Sequence, residues 1–288
     1  MTALPVSVVI ATADRAGLVA DAVASIRAGE DVSAEVIVVD QSRDESTRGA
    51  LEGLEGLTVV RPPRRGLSAA RNHGARVAQS DVVVFCDDDL RVTARWLRAL
   101  VDPVLAEEKV VTTGKVERDP DDVGRVVPAL VLATEPAVHT TRGPRDVLAG
   151  GNMAIRVADL QSLGGFDERL GPGSRFPAAE DNDLALRLLT HGYTIRYEPA
   201  ALVYHRAWRR SASYPLVRWR YGRGKGAFYA KNSPPGDRYG RHRAAADLAA
   251  RARRLPRVLH RPVYAAGEVL YAAGVVAGGL EWLLRERR

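Results

Sequence analysis

Residues 82–89 read Val-Val-Val-Phe-Cys-Asp-Asp-Asp, an apolar run that passes directly into three carboxylates. A short β-branched run of this kind predicts a buried strand that ends where the aspartates begin. Alternate side chains on an extended segment point the same way, so Asp87 and Asp89 are placed to share one divalent ion, Mg²⁺ or Mn²⁺. The alternative is an acidic turn or helix cap, which aspartate also favours.

The segments on either side of this run alternate between strand-like and helix-like patterns. Further strands are predicted at Val6–Ala11, Glu35–Val39 and Leu57–Val60, with helices at Gly17–Ala28 and Ser68–Gln79. Such alternation predicts an α/β fold whose mostly parallel, twisted sheet is flanked by helices. Ligands bind beyond the carboxyl ends of parallel strands, where Asp40 and the aspartate triplet lie. Both are therefore candidates for one site.

A second acidic motif opens a predicted helix over Ala179–His191. Glu180 and Asp181 lie in its first turn, after a loop rich in glycine and proline. Acids there complement the helix dipole, or they place a general base at the rim of a pocket. A predicted last strand then ends at His205, which is either a structural hydrogen-bonding residue or a metal ligand.

The composition changes after residue 205, where arginine and tyrosine become frequent. Residues 206–288 contain 17 Arg and 2 Lys against 5 acidic side chains, whereas the whole chain has a net charge of +7. We predict a larger domain over 1–205, its halves meeting near residue 90, and an Arg-rich, mostly helical region over 206–288. The basic region is typical of contact with an acceptor phosphate, an anionic membrane or a nucleic acid. Nucleic acid is the least favoured of these, because the acids before residue 205 would repel its backbone.

Composition places the chain among globular proteins. It has 288 residues, of which 46% are hydrophobic and 27% charged, and this excludes a disordered or low-complexity chain. Its one cysteine, Cys86, excludes a disulfide framework and a cysteine-based zinc site. The first ten residues lack the features of a signal peptide. We expect a cytoplasmic protein, with peripheral contact at the inner face of the cell membrane.

Two common nucleotide-binding loops are missing from the sequence. No Gly-x-Gly-x-x-Gly follows the first predicted strand, where residues 11–15 read Ala-Thr-Ala-Asp-Arg, and no Walker A loop occurs. The missing glycine motif argues against a Rossmann dehydrogenase, and the missing Walker A loop excludes P-loop phosphoryl transfer. A sugar nucleotidyltransferase is one possible enzyme with such a fold. It would need a glycine-rich loop with basic side chains for a triphosphate after the first strand, and residues 11–15 do not supply that loop. A catalytically inactive anion-binding module is the alternative from a different class.

Eight motifs follow one another in a fixed order along the chain. They are Val-Ser-Val-Val-Ile-Ala-Thr-Ala-Asp-Arg (6–15), Val-Val-Asp (38–40), Gly-Leu-Ser-Ala-Ala-Arg-Asn-His-Gly-Ala (66–75), Phe-Cys-Asp-Asp-Asp (85–89), Gly-Gly-Asn-Met-Ala-Ile-Arg (150–156), Gly-Gly-Phe-Asp-Glu (164–168), Ala-Glu-Asp-Asn-Asp-Leu-Ala-Leu-Arg-Leu (179–188) and Val-Tyr-His (203–205). Together they resemble glycosyltransferase family 2, the inverting enzymes of the GT-A fold. The resemblance extends over residues 5–225.

The resemblance implies a GT-A catalytic domain over 1–205, which moves one sugar from a nucleotide-diphosphate sugar to an acceptor hydroxyl. UDP and dTDP sugars are the favoured donors, and the acceptor is a glycan, a lipid-linked sugar or a small molecule. A divalent metal, Mg²⁺ or Mn²⁺, would stabilise the leaving diphosphate. Asp181 would act as the general base in a single displacement that inverts the anomeric carbon.

The resemblance also implies a role for each matched residue. The nucleotide pocket would comprise Thr12, Asp14, Arg15, Asp40, Arg71 and Asp87. The metal ligands would be Asp87, Asp89 and His205. The donor and acceptor pocket would include Gly151, Asn152 and Glu180. Glycines at 222, 224 and 226 further predict a mobile loop from which Arg223 and Lys225 reach the donor diphosphate.

One long apolar segment, Pro262–Leu284, is interrupted only by Glu268 and Glu281. Its length nearly spans a bilayer, but two carboxylates are costly in lipid and arginines flank the segment on both sides. We therefore predict an interfacial helix, or a helix packed on the larger domain.

Overall fold

The computed structural model describes residues 6–30, 34–54, 56–122, 130–206 and 209–286. The strands are β1 (Val6–Thr12), β2 (Glu35–Asp40), β3 (Leu57–Val60), β4 (Val82–Asp87), β5 (Leu90–Val92), β6 (Val110–Arg118), β7 (Ala137–His139), β8 (Asn152–Arg156) and β9 (Thr194–His205). The helices are α1 (Ala16–Arg27), α2 (Ser46–Ala50), α3 (Leu67–Val77), α4 (Trp96–Ala106), α5 (Val157–Ser162), α6 (Glu180–Thr190), α7 (Tyr214–Lys231), α8 (Tyr239–Val258) and α9 (Pro262–Arg285).

These strands form one sheet in the order β3-β2-β1-β4-β8-β6-β9-β5, with β7 paired to β9. The strands β1 to β4 pair in parallel, as their alternation with helices predicts. The other half is mixed. There β8 is antiparallel to both β4 and β6, β5 and β7 are antiparallel to β9, and β6 is parallel to β9. Predominantly parallel pairing therefore describes the first half of the sheet only.

The parallel register aligns the carboxyl ends of β1, β2 and β4. Thr12 pairs with Asp40, and Ala11 pairs with Asp87. The residues that follow these strands consequently meet at one edge of the sheet, where α/β proteins bind their ligands. The aspartate triplet and Asp40 both lie at this edge, as predicted.

Apolar layers cover both faces of the sheet. Trp96 of α4 belongs to one layer with Cys86 of β4, and Leu184 of α6 belongs to the other with Phe85. Successive residues of a strand point to opposite faces, so Asp87 shares the face of Phe85. The carboxylate that ends β4 is therefore directed toward the side of the sheet covered by α3 and α6.

Close contacts at glycines join α7 to α9. A Cβ at Gly222 would lie 2.1 Å from the Tyr271 carbonyl oxygen, and one at Gly226 would lie 2.0 Å from that of Val275. These glycines allow two helix backbones to approach each other. The mobile loop predicted around residues 222–226 is therefore wrong, because the segment is part of a packed helix.

The C-terminal helices also pack on the larger domain. The Trp282 ring of α9 lies against Phe176, with ring centroids 5.3 Å apart. By length and composition alone, α9 could cross a membrane. In this structure one of its faces is covered by α7 and by the loop before α6. The expectation of a helix packed on the larger domain thus agrees with the structure.

Candidate functional site

Two loops at the carboxyl edge of the sheet are joined by hydrogen bonds. The Asp14 amide donates to Ser42 Oγ at 2.9 Å, and the Arg43 amide donates to Asp14 Oδ1 at 2.9 Å. Asp14 has a φ of 55°, a left-handed conformation that aspartate adopts more readily than most residues. The Ser42 amide donates in turn to Asp40 Oδ1 at 2.9 Å. The loops after β1 and β2 are therefore held as one unit.

A cleft of about 470 Å³ opens beside these loops. It is lined by Asp40, Gln41, Ser42, Arg43, Arg61, Pro62 and Arg65. The Asp40 carboxyl is almost fully buried, so it can accept hydrogen bonds with little competition from water. Arg43 pairs with Asp14, and Arg61 pairs with Glu45, in both cases through exposed side chains. Together with Arg65 these arginines offer charge-assisted donors to an anionic ligand. The cleft therefore suits a molecule with a polar N–H edge and a negative charge, as a nucleotide has.

The middle carboxylate of the triplet is buried and binds the loop after β1. Thr12 Oγ1 donates to Asp88 Oδ2 at 2.6 Å, and Arg15 Nε lies 3.0 Å from the same oxygen. Arg15 Nη1 also lies 3.4 Å from Asp89 Oδ2. Burial raises the pKa of Asp88 to about 7, and the attraction of Arg15 opposes that rise. Thr12 at the end of β1 and Arg15 in the loop after it therefore hold the aspartate turn in place.

Asp89 and His205 are two side chains of types that can ligate a metal, and they lie close together. Asp89 Oδ1 lies 3.8 Å from His205 Nε2, and the Arg206 amide donates to the Asp89 carbonyl at 2.8 Å. His205 Nδ1 lies 3.0 Å from the Arg206 carbonyl oxygen, which orients the ring so that Nε2 faces the carboxylate. Over the residues that the structure describes, no three such side chains come together. A carboxylate and an imidazole fit a Mg²⁺ or Mn²⁺ ion that completes its shell with phosphate and water oxygens.

Asp87 has a different partner. Arg71 Nη2 lies 2.7 Å from Asp87 Oδ1, and a Cβ at Gly151 would lie 2.2 Å from Asp87 Oδ2. β4 ends at Asp87, so the alternation of an extended segment does not continue to Asp89. Strand alternation therefore does not direct these two carboxylates toward one ion. Gly151 is needed because the Asp87 carboxylate lies directly against it.

A buried arginine links Asp87 to the acids at the start of α6. Arg71 is 3% exposed, and its Nη1 lies 3.4 Å from Glu180 Oε1. Its guanidinium also lies over the Phe166 ring, 5.3 Å from the centroid. Burial lowers the pKa of Arg71, but Asp87 and Glu180 raise it by more, so the group stays charged. One cation thus holds carboxylates from β4 and α6 together.

Glu180 and Asp181 follow a residue with unfavourable backbone geometry. Ala179 has a φ of 72°, which costs a non-glycine residue about 1–3 kcal/mol. Burial raises the pKa of Glu180 to about 7, and the charge of Asp181 adds to this rise. Burial also raises the pKa of Asp181, against the attraction of Lys225. A carboxylate with a raised pKa is a stronger base when it is ionised, which suits it to accept a proton.

A family model described as glycosyl transferase family 2 matches residues 7–164, more than half of the chain. This chain belongs to glycosyl transferase family 2. Its α/β sheet with flanking helices and its C-terminal helical extension agree with solved structures of glycosyltransferases. PcManGT from Pyrobaculum calidifontis, solved with GDP-Man and Mn²⁺, has a TM-score of 0.66 and 23% identity over 97% of this chain and 88% of that chain. GalNAc-T7, solved with UDP, GalNAc and Mn²⁺, has a TM-score of 0.58 and 22% identity over 82% of this chain and 53% of that chain.

Curated relatives match over shorter segments. A pre-mycofactocin glycosyltransferase of Mycobacterium tuberculosis is 30% identical over 150 residues, covering 50% of this chain and 31% of the relative. N-acetylgalactosaminyltransferase 4 of Drosophila melanogaster is 31% identical over 133 residues, covering 40% of this chain and 21% of the relative. The family 2 chain therefore aligns with about a third or less of these relatives' length.

Asn152 has a structural task in this family 2 chain. Its side-chain amide bonds to Trp96 Nε1 at 2.8 Å, the Ala201 carbonyl at 3.0 Å and the Lys115 carbonyl at 3.1 Å. Asn152 pairs with Cys86 across the sheet, so its side chain lies on the face opposite to Asp87. The expectation that Asn152 lines the donor pocket is therefore wrong, because its polar atoms are used inside the core.

Arg223 and Lys225 lie on α7, and both have acidic partners. Arg223 Nη2 lies 2.6 Å from Glu281 Oε2 on α9, which gives this arginine a role in helix packing. Lys225 Nζ lies 2.5 Å from Asp146 Oδ2. The charge of Lys225 opposes the rise in the pKa of Asp181. The expected contact of Arg223 with the donor has no support in this arrangement.

Several site residues were not found from the sequence. Arg43, Arg61 and Arg65 line the cleft from the loops after β2 and β3, which only the fold brings together. Ser42 bonds to both Asp14 and Asp40, and the turn signal of an aspartate followed two residues later by serine could have revealed it. Burial raises the pKa of Tyr221 on α7 to about 12, the charge of Arg209 opposes this rise, and Glu180 adds to it.

Proposed function

We propose that the protein is a metal-dependent, inverting glycosyltransferase that moves one sugar from a nucleotide-diphosphate sugar to an acceptor hydroxyl. One observation carries the proposal. The cleft at Asp40, the Asp89–His205 pair and the acids of α6 lie at the carboxyl edge of one sheet, connected through Arg15 and Arg71. Membership of glycosyl transferase family 2 supports this interpretation.

The donor is assigned from the chemistry of the cleft. Asp40 accepts hydrogen bonds from the base, while Arg43, Arg61 and Arg65 supply positive charge around it. The two structural neighbours were solved with GDP-Man or with UDP, each together with Mn²⁺, which supports a nucleotide donor. UDP and dTDP sugars stay the favoured donors.

Asp89 and His205 would hold the metal. When bound there, a divalent cation supplies positive charge that stabilises the leaving diphosphate. Arg15 lies at Asp89 and Asp88, so it keeps the carboxylates of the turn in position and adds a further cation at this end of the site. Burial of these groups strengthens each interaction, because less water competes for them.

Asp181 is the proposed general base. It accepts the proton of the acceptor hydroxyl as the hydroxyl oxygen bonds to the anomeric carbon and the bond to the diphosphate breaks on the opposite face. This single displacement inverts the anomeric configuration. Glu180 is held by Arg71, and Lys225 offsets part of the cost of charge at Asp181. The acceptor is a glycan, a lipid-linked sugar or a small molecule, and glycan or glycoconjugate synthesis is the process served.

A sugar nucleotidyltransferase is the less favoured enzyme. It needs basic groups for a triphosphate in the loop after β1, and the Arg15 side chain there is directed to Asp88 and Asp89. An inactive anion-binding module would not need the acids of α6 to have raised pKa values.

We place the protein in the cytoplasm, in peripheral contact with the membrane.

A thermal-shift panel tests the function. Purified protein is heated with UDP, dTDP, GDP, ADP and their sugars, with and without Mn²⁺ or Mg²⁺. A ligand that binds only the folded state raises the melting temperature. We expect a metal-dependent rise with one nucleoside diphosphate and its sugar. Folded protein that shows no shift with any nucleotide would contradict the proposal and favour the anion-binding alternative.

A further inference from the structure

The described residues leave one face of α9 uncovered, and that face is apolar along its whole length. The large exposed side chains are Val269 (53%), Leu270 (37%), Val276 (54%), Leu280 (56%), Leu283 (40%) and Leu284 (77%). Their spacing of three, four and seven residues places them on one side of the helix. Alanines 266 and 273 continue the same exposed stripe. We call these residues the α9 stripe.

The acidic residues of α9 lie away from the stripe. Glu268 is 2% exposed, and its carboxylate lies within 4 Å of Arg218, Arg251 and Arg254. Glu281 is paired with Arg175 and Arg223. The two carboxylates that oppose lipid contact in the sequence are thus each paired with arginines away from the stripe, so the stripe itself carries no charge.

Exposed arginines precede and follow the stripe along the chain. Arg253, Arg257 and Arg261 are exposed on α8 and the turn before α9, and Arg285 is exposed at the other end. Leu259, 63% exposed, lies among the first group. An apolar helix face bordered by arginine is the pattern of a helix that lies in the interface of a membrane containing anionic lipid.

We propose that the α9 stripe docks the protein on an anionic membrane surface, with α9 parallel to the bilayer plane. A spanning orientation would remove α9 from the glycine contacts with α7 and would expose Glu268 to lipid without its arginines. Peripheral contact with the membrane is part of the proposed function, and the α9 stripe is the surface that makes this contact. The proposal rests on the packing of α7, α8 and α9 and does not depend on sugar transfer.

A second copy of the chain is the competing occupant. If two α9 stripes met in antiparallel fashion, Arg285 of each copy would face Arg257 and Arg261 of the other. If they met in parallel, each group would face its own equivalent. Both arrangements bring arginine against arginine, whereas a surface of anionic phosphate groups complements them. Charge therefore favours the membrane.

Vesicle co-sedimentation tests the proposal with the full chain. The probes are phosphatidylglycerol–phosphatidylcholine vesicles and vesicles of phosphatidylcholine alone. We expect the wild type to bind the anionic vesicles, and a variant with Val269, Val276, Leu280 and Leu284 all changed to serine to bind at least about tenfold less. The matched control changes Leu132 and Val138 to serine; these are equally exposed, at 58% and 62%, but lie outside α9, and we expect unchanged binding.

A charge variant tests the arginines that precede the stripe. Changing Arg253, Arg257 and Arg261 to glutamine is expected to weaken binding to anionic vesicles and to reduce its salt dependence.

All substituted side chains are exposed, and circular dichroism and thermal melting confirm that each variant is folded. Equal binding by the serine variant and the wild type overturns the proposal, as does equal binding to neutral and anionic vesicles. A lipid-free dimer that the serine variant abolishes, seen by analytical ultracentrifugation, assigns the stripe to a second copy instead. Neither result bears on the nucleotide panel, so the two proposals fail separately.

Discussion

At the scale of single residues, Arg71 connects the two halves of the site. It is buried, and its guanidinium lies between Asp87 at the end of β4 and Glu180 at the start of α6. Gly150 allows this approach, since a Cβ there would lie 2.8 Å from Arg71 Nη1 and 3.0 Å from Asp181 Cβ. The geometry of the proposed base therefore depends on an arginine from a different part of the sequence.

Removing the Arg71 cation should lower stability strongly. In Arg71→Met, Asp87 and Glu180 lose a shared buried partner, and breaking a buried pair in this way costs about 3–5 kcal/mol. Arg76→Met is the matched control, because Arg76 lies on the same helix with an exposed side chain. Urea unfolding of both variants measures the difference. Equal free energies of unfolding would show that Arg71 does not stabilise the fold.

Asn152→Ala separates a structural residue from a pocket residue. The change leaves the buried Trp96 indole without its acceptor, which predicts a loss of stability of about 1–3 kcal/mol. Metal-dependent nucleotide binding should persist at temperatures where the variant is folded. Urea unfolding and a nucleotide titration measure the two quantities. A variant with normal stability that no longer binds nucleotide would show that Asn152 lines the donor pocket.

The sequence predicts residues well where a motif and a strand end coincide. Asp40 and Asp89 lie at the predicted edge for this reason. It does not predict partners that come from remote segments. The direction of Asn152 depends on pairing between β8 and β4, and the contact of Arg71 with Glu180 joins residues 109 positions apart. Such contacts depend on the tertiary fold, and a local sequence pattern does not predict them.

At the scale of elements, the glycines of α7 serve close packing against α9, whereas the sequence predicts that they make a mobile loop. Tyr214 and Tyr264 also pack across it, with ring centroids 4.8 Å apart. Glycine permits close backbone contact as well as movement, and a lone sequence does not separate these uses. The distinction appears only when the facing helix is known.

A glycine substitution tests this interface. A Cβ at Gly226 would lie 2.0 Å from the Val275 carbonyl oxygen, so Gly226→Ala should cost about 1–3 kcal/mol through forced helix displacement. The control is Gly17→Ala in α1, where no atom lies within 4 Å of the added Cβ. Alanine favours helix there, so we expect equal or slightly higher stability. If thermal melting shows both variants to behave alike, the close contact of α7 and α9 is wrong.

Strand boundaries show the same limit. The sequence predicts two short strands, Thr194–Tyr197 and Ala201–His205, whereas β9 is continuous from Thr194 to His205. The register of β6 with β9 shifts between Gly114 and Val116, which accommodates the extra residues around Pro199. The local sequence pattern predicts a break at the proline. It does not show that the register shift against β6 lets the strand continue past it.

At the scale of the whole molecule, stability should depend on pH through the buried acids. The pKa of Glu180 is raised from 4.5 to about 7 in the folded state, mainly by burial. Between these values the unfolded chain binds fewer protons at this group, so its contribution to stability is present at low pH and is lost as the pH rises toward 7. Asp88 acts in the same direction.

Glu180→Gln should therefore flatten the pH profile. Urea unfolding of the wild type and the variant at several values from about pH 4.5 to 8 gives two curves, and their difference isolates Glu180 from other titrating groups. We expect the wild type to lose stability relative to the variant as the pH rises. A constant difference would show that the Glu180 pKa is the same in the folded and unfolded chains.

The most direct test of the proposed function is the release of nucleoside diphosphate from a nucleotide sugar, with and without Mn²⁺, by the wild type and by Asp181→Asn, in the presence of a panel of simple sugars whose hydroxyls can accept the transferred sugar. The donor is the one that raises the melting temperature. We predict metal-dependent release by the wild type, and release by Asp181→Asn that is at least about 100-fold slower although its metal-dependent thermal shift is kept. Release by Asp181→Asn at the wild-type rate, or wild-type release without a metal, would contradict a metal-dependent transfer in which Asp181 is the base.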